Sequence, residues 1–247
     1  MSALEALAIA GAGLVAGTIN TVVGSGTLIT FPTLLAFGFP AVMANVSNSV
    51  GLVPGSLSGA VAYRRELRGQ SRRLLVLCAA AVAGGACGAG LLLALPSSVF
   101  RRAVPALILV ACLLVLFQPQ LARRAAGSHR PHGGPMLFAA VFATAIYGGY
   151  FGAAQGVILI SLLGIFLNDQ IQRLNAAKNV LALLVNAVAS LVFIAVSNVS
   201  WSAAGLLAAG SVVGGQVGGL LGRRLPTLWL RAVIVVVGLT AAIVLLA

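Results

Sequence analysis

The side chains in this sequence that could bind a ligand fall into two repeated groups. The first is a pair of glycine-punctuated breaks inside long apolar stretches, Gly24-Ser25-Gly26-Thr27 and Gly152-Ala153-Ala154-Gln155-Gly156. A helix that restarts at such a break leaves its first backbone N–H groups without intrahelical partners, and together with the helix dipole they favour an anion. Ser25, Gly26 and Thr27 are expected to open the second arm of the first break, and Gln155, Gly156 and Val157 that of the second. Close helix packing is the other use such glycines serve, and it stays open beside the first. The second group is a polar run after each break: Asn45, Ser47, Asn48, Ser49 and Ser56, then Asn175, Lys178, Asn179 and Asn186. Helical spacing puts Asn45, Asn48 or Ser49, and Ser56 near one face, and Asn175, Lys178 or Asn179, and Asn186 near its repeat-related counterpart. Amides in hydrocarbon are costly unless paired, so these faces serve either as glue between helices or as the lining for a polar solute. Lys178, the only lysine in the chain, weighs toward the lining. Its alternative is to snorkel to the membrane interface.

Catalysis and metal binding find little to build on. Ser25 between two glycines has the setting of a serine nucleophile, but a nucleophile needs a base, and His129 and His132 both lie in a polar linker. Cys78, Cys87 and Cys112 sit inside apolar stretches without ligand spacing. They read as small packing residues. No catalytic residue, metal site, cofactor or disulfide is expected.

The elements that must position the polar groups are dictated by composition. Of 247 residues, 60% are hydrophobic and 7% charged, against about a quarter charged in soluble domains. With a mean hydropathy of +1.11, the chain is expected to be an all-α polytopic membrane protein. Six stretches have the length of ordinary spans: Ala41 to Tyr63, Leu74 to Leu95, Val99 to Phe117, Ala176 to Val196, Trp201 to Gly222 and Leu228 to Ala247. Two more, Leu4 to Phe37 and Met136 to Leu167, would reach roughly 50 Å as straight helices, well beyond a hydrocarbon core of about 30 Å. These two carry the glycine breaks.

Sliding the chain against itself by 130 positions aligns Gly26 with Gly156, Asn45 with Asn175, Gly84-Gly85 with Gly214-Gly215, Gly88 with Gly218, Leu95-Pro96 with Leu225-Pro226 and Arg101 with Arg231. The expected organisation is therefore a first transmembrane repeat over residues 1–117, a cytoplasmic linker over 118–134 and a second repeat over 135–247. Each repeat is read as a broken, re-entrant helical hairpin followed by three transmembrane helices. The remaining paired glycines read as helix-packing faces.

The net charge of +12 would suggest nucleic acid in a soluble protein, but here the arginines cluster in short loops between apolar spans, which points to topology and anionic headgroups. If all eight stretches simply crossed, the arginines in the loops and at the span ends would divide 8 against 6. If the two overlong stretches return to the side they entered, the division is 12 to 2, with Arg101 and Arg102 the exceptions. The positive-inside rule selects the second arrangement. It makes the repeats inverted, with both termini outside.

The segment from Gly24 to Leu35, GSGTLITFPTLL, with Gly38 after it, resembles the glycine-rich, Pro-x-Leu signature of the TauE/SafE sulfite exporter family, and Ala44-Asn45-Val46-Ser47-Asn48-Ser49 resembles its next block. Tyr147 to Gly156 and Asn175-Ala176-Ala177-Lys178-Asn179-Val180 are similar to the corresponding blocks of the second half. The resemblance covers nearly the whole chain. It implies a multi-pass carrier in the bacterial inner membrane for sulfite, sulfoacetate or a related anion, with membrane lipids around it and a homo-oligomer compatible with the pattern. From the breaks and the polar runs, the expected binding residues are Ser25, Gly26, Thr27, Asn45, Asn48, Ser49, Gln155, Gly156, Asn175, Lys178 and Asn179, at a site where the hairpin tips meet.

Overall fold

The computed structural model describes residues 1–124, 134–221 and 227–246. Among these the order is α1 (Ala3–Val22), α2 (Thr27–Ala36), α3 (Ala41–Ala62), α4 (Ser71–Ala94), α5 (Ser97–Arg124), α6 (Gly134–Tyr150), α7 (Gln155–Phe166), α8 (Ile171–Val196), α9 (Trp201–Leu221) and α10 (Thr227–Leu246), without a strand. The protein is an all-α polytopic membrane protein. A bilayer forces this outcome, because only a helix satisfies its backbone within one segment when no water is at hand. Five described helices are long and apolar enough to cross alone: α1, α4, α5, α8 and α9. By contrast α2 and α7, of 10 and 12 residues, reach only about 15–18 Å, roughly half the hydrocarbon core.

The overlong stretches break at their glycines. Gly24, at φ +92°, turns the chain after α1, and Gly152, at φ +79°, turns it after α6. Both are left-handed conformations that glycine adopts cheaply. Ala154 shares this conformation at φ 57°, and the Tyr147 hydroxyl steadies the turn by donating to the Ala153 carbonyl at 2.6 Å. The first arm folds back on itself, so that the Gly26 N–H donates to Asn20 Oδ1 at 2.7 Å. Beyond it, α3 runs in the same direction as α1: Gly13 and Gly51 both abut Leu207 of α9, and Gly17 and Gly55 both abut Ser211. Hairpin α1–α2 therefore enters and leaves on one side of the bundle.

The second half repeats this plan with its direction reversed. On α4, Gly84 abuts Phe142 and Ala145, Gly88 abuts Ile146 and Tyr150, and Gly85 abuts Val185. So α4 holds α6 and α8 as α9 holds α1 and α3. Helices α3 and α8 are antiparallel: the Ser200 N–H after α8 donates to Ser47 Oγ near the start of α3 at 2.9 Å, while Arg173 near the start of α8 donates to the Arg68 carbonyl beyond the end of α3 at 3.0 Å. Each hairpin thus packs on the penultimate helix of the other half, while α5 and α10 pair with each other. Because lipid tails are as apolar as leucine, contact of this kind depends on van der Waals fit and small residues. A Cβ on Gly13 would stand 2.6 Å from the Leu207 carbonyl oxygen, so the α1–α9 approach requires glycine there.

Helix α5 continues to Arg124 and α6 starts at Gly134, so helix takes in both ends of the 118–134 segment. His129, Arg130 and His132, like the Leu225-Pro226 repeat match, lie outside the described residues. Cys112 is buried and abuts Gly238, as a packing residue should, whereas Cys87 is exposed and packs no core. The helical pattern alone did not reveal which face it occupies.

Candidate functional site

The two hairpin tips touch. The Gly156 N–H donates to the Gly24 carbonyl at 3.0 Å, and a Cβ on Gly24 would lie 2.5 Å from the Gly156 Cα. Backbone meets backbone there, so a side chain at either position would force the tips apart.

Behind the tips, the polar residues of α8 cap the end of α1. A helix C-terminus carries carbonyls without intrahelical donors and a partial negative charge. Lys178, fully buried, donates to the Asn20 carbonyl at 3.0 Å and the Thr21 carbonyl at 3.3 Å. The amides of Asn175 and Asn179 donate to the same Thr21 carbonyl at 3.1 and 3.4 Å. The first half mirrors part of this arrangement, since Asn45 donates to the carbonyl of Tyr150, the last residue of α6, at 3.0 Å. At the position matching Lys178 stands Asn48, which turns to its own hairpin: it accepts from the Thr30 hydroxyl and donates to Thr27 Oγ1 at 3.3 Å. Ser49 bonds back to the Asn45 carbonyl at 2.9 Å. The site is therefore two-fold in placement and one-sided in charge. Lys178 does not snorkel, and among the described residues it has no carboxylate partner: Asp169 is held by Arg73 and Arg173, and Glu5 caps the start of α1.

Between the tips and these helices lies a polar cavity of about 20 Å³. The first half contributes Asn20, Thr21, Gly24, Thr27 and Ser56 to its wall, and the second Gly152, Gln155, Gly156, Asn179 and Asn186. A single water needs about 10–15 Å³ by this measure, so the space as it stands is too small for an oxyanion of four heavy atoms. Of the residues expected at the site, Thr27, Gln155, Gly156 and Asn179 reach the wall. Ser25 and Gly26 lie at the first tip, and Asn45, Asn48, Ser49, Asn175 and Lys178 form the packed layer around it. Two of the amides expected to face a ligand are occupied, Gly26 by Asn20 and Gly156 by Gly24. Ser25 Oγ and its repeat mate Gln155 Nε2 are buried without a hydrogen-bond partner, as are the mates Asn45 Oδ1 and Asn175 Oδ1. Sequence reasoning missed Asn20 and Thr21; their signal was two polar side chains in the last turn before the Gly24 break.

A second polar cluster ties the halves together on the face that carries the α3–α4 turn. Asp169 accepts from Arg73 and Arg173, each at 2.8 Å. Gln70 accepts from Arg73 and donates to the Arg173 carbonyl at 3.2 Å. Burial by itself pushes the Asp169 carboxyl up, but the Arg73 hydrogen bond, the Gln170 N–H and the two arginine charges outweigh it and hold the carboxyl below its ordinary value.

Residues 9–245 match the model of the family described as Sulfite exporter TauE/SafE. The probable membrane transporter protein YfcA of Escherichia coli strain K12 is 28% identical over 232 residues, covering 91% of this chain and 83% of that protein. A probable membrane transporter protein of Haemophilus influenzae is 26% identical over 208 residues, 83% of this chain and 80% of its own. Probable membrane transporter protein ORF9 of a Sinorhizobium species is 25% identical over 240 residues, covering 96% and 90%. No solved structure matches the chain. With the family match running through both inverted halves, the chain belongs to the TauE/SafE sulfite exporter family and is a multi-pass membrane transporter.

Proposed function

We propose that the protein exports a small anion across the bacterial inner membrane, sulfite or an organosulfonate such as sulfoacetate, through the cavity between its hairpin tips, driven by the membrane potential. The observation that carries this reading is Lys178. Its ammonium is fully buried and held by the carbonyls of Asn20 and Thr21, two residues of the cavity wall, with no carboxylate among the described residues to cancel it. The end of a helix offers only about half a negative charge, so the wall keeps a net positive charge and favours an anion over a cation or a neutral solute.

Opening the tips would release the Gly156 N–H from Gly24 and add it to the orphaned Ser25 hydroxyl and Gln155 amide as donors. Orientation follows from charge: Arg64, Arg65, Arg68, Arg72, Arg73 and Arg173 share one face, and Arg101 and Arg102 stand on the other. The arginine-rich face is cytoplasmic by the positive-inside rule, leaving both termini outside. No acid lies deep in a span: Glu5 is in the first turn of α1, Glu66 in the α3–α4 turn, and Asp169 in the α7–α8 turn. An anion leaving a negative interior gains about 2.3 kcal/mol per charge per 100 mV, so export need not be coupled to protons.

A screen of sulfite, sulfate, thiosulfate, sulfoacetate and simple carboxylates, by thermal shift of purified protein and by flux in reconstituted vesicles, tests the reading. Binding and flux of a sulfur oxyanion or sulfonate are expected. A response confined to neutral solutes or cations would overturn it.

A further inference from the structure

A groove of about 320 Å³ opens between the first turns of α4 and α6, on the arginine-rich face. At its mouth are Arg72 and Arg73; its walls are Val76, Leu77, Pro135 and Phe138. Arg72 and Val76, like Arg73 and Leu77, are four apart on α4, so each guanidinium stands about one turn from an apolar wall residue. Arg73 is engaged with Gln70 and Asp169. Arg72 is exposed and, among the described residues, has no hydrogen bond or ion pair. The apolar part is also open: Val76 is 54% and Phe138 38% exposed. The starts of α4 and α6 add partial positive charge at the same end.

We infer that this groove binds one phospholipid with an anionic headgroup. The phosphate is held by Arg72, whose planar guanidinium donates two N–H groups to phosphate oxygens, and an acyl chain lies along the exposed Val76, Pro135 and Phe138. Charge at one end and an open apolar wall below it match an anionic lipid and not a free anion, which would leave the apolar length without a partner. A zwitterionic lipid fills the wall equally well but carries its own cation to the arginines. Since Arg73 also grips Asp169 in the cluster that joins the two halves, a lipid seated beside it steadies that junction. Assignment to the inner leaflet rests on the orientation proposed above; the existence of the site does not.

The test is native mass spectrometry and thermal unfolding of the purified full chain with phosphatidylglycerol, phosphatidylcholine or inorganic phosphate. Wild type should retain phosphatidylglycerol in preference to phosphatidylcholine and be stabilised by it. Arg72→Gln, a surface change that spares the fold, should bind phosphatidylglycerol about fivefold more weakly with phosphatidylcholine unaffected. Val76→Trp, filling the groove, should lose both lipids, and Arg102→Gln on the opposite face should lose neither. Equal retention of the two lipids by wild type, or undiminished phosphatidylglycerol binding in Arg72→Gln, would overturn the assignment. So would stabilisation by inorganic phosphate equal to that by the lipid.

Discussion

Replacing Lys178 with Met separates its two roles, the cap on α1 and the charge behind the cavity. Methionine keeps most of the length and volume but removes the ammonium from the Asn20 and Thr21 carbonyls. Thr21 retains the amides of Asn175 and Asn179, so the Asn20 carbonyl bears the main loss. An orphaned buried acceptor costs about 1–3 kcal/mol, and relief from burying an ammonium offsets much of this. The fold should survive with a modest change in Tm. Anion binding has no such compensation: a unit charge about 6 Å from an anion, at an effective dielectric of about 20, contributes about 3 kcal/mol. Affinity should therefore fall about 100-fold. Titration by substrate-induced thermal shift gives the affinity, and initial flux in vesicles the functional loss. A well-folded Lys178→Met variant whose affinity stays within threefold of wild type would refute the assignment of positive charge to this site.

Gly24→Ala places a methyl group against Gly156 and forces a left-handed alanine, strain of about 1–3 kcal/mol; flux should drop at least tenfold, whereas Gly38→Ala, equally left-handed but in open space, should keep most of it. Because the folded-state value of the Asp169 carboxyl is depressed, its contribution is present above the unfolded value of about 3.9 and is lost as the pH falls through the folded value. Asp169→Asn should then lower stability by of order 1 kcal/mol at pH 7, with the gap to wild type closing on acidification below the ordinary Asp range in pH-dependent unfolding. In a cysteine-free background, single cysteines at exposed Ser71 and Asn198 should react with an impermeant maleimide from opposite sides, Ser71 from the cytoplasm and Asn198 from outside.

The fold was largely legible because its rules are local. Two stretches too long to cross and broken at Gly24 and Gly152 can only turn, and the 130-residue offset carries α1–α5 onto α6–α10. The antiparallel course of α3 and α8 bears out the inversion inferred from the arginines. What stayed hidden depends on partners that leave no trace in a sequence. Glycines at 84, 88, 214 and 218 announce a close approach, but not that each hairpin packs on the other half's penultimate helix. Lys178 was recognisable as costly to bury, yet its partners are backbone carbonyls, which every residue has. For the same reason the wall residues Asn20 and Thr21 passed unnoticed: their importance comes from the capping of α1 and from the returning Gly26. Apolar character stops at Phe117, although the helical geometry of α5 continues to Arg124.

The most direct measurement is flux of sulfite and sulfoacetate in proteoliposomes under an imposed potassium diffusion potential with no pH gradient. Accelerated movement of a sulfur anion toward the positive side, lost in Lys178→Met, is the predicted result. Flux that ignores the potential and follows a pH gradient, or that continues unchanged without Lys178, would contradict a potential-driven anion pathway between the hairpin tips.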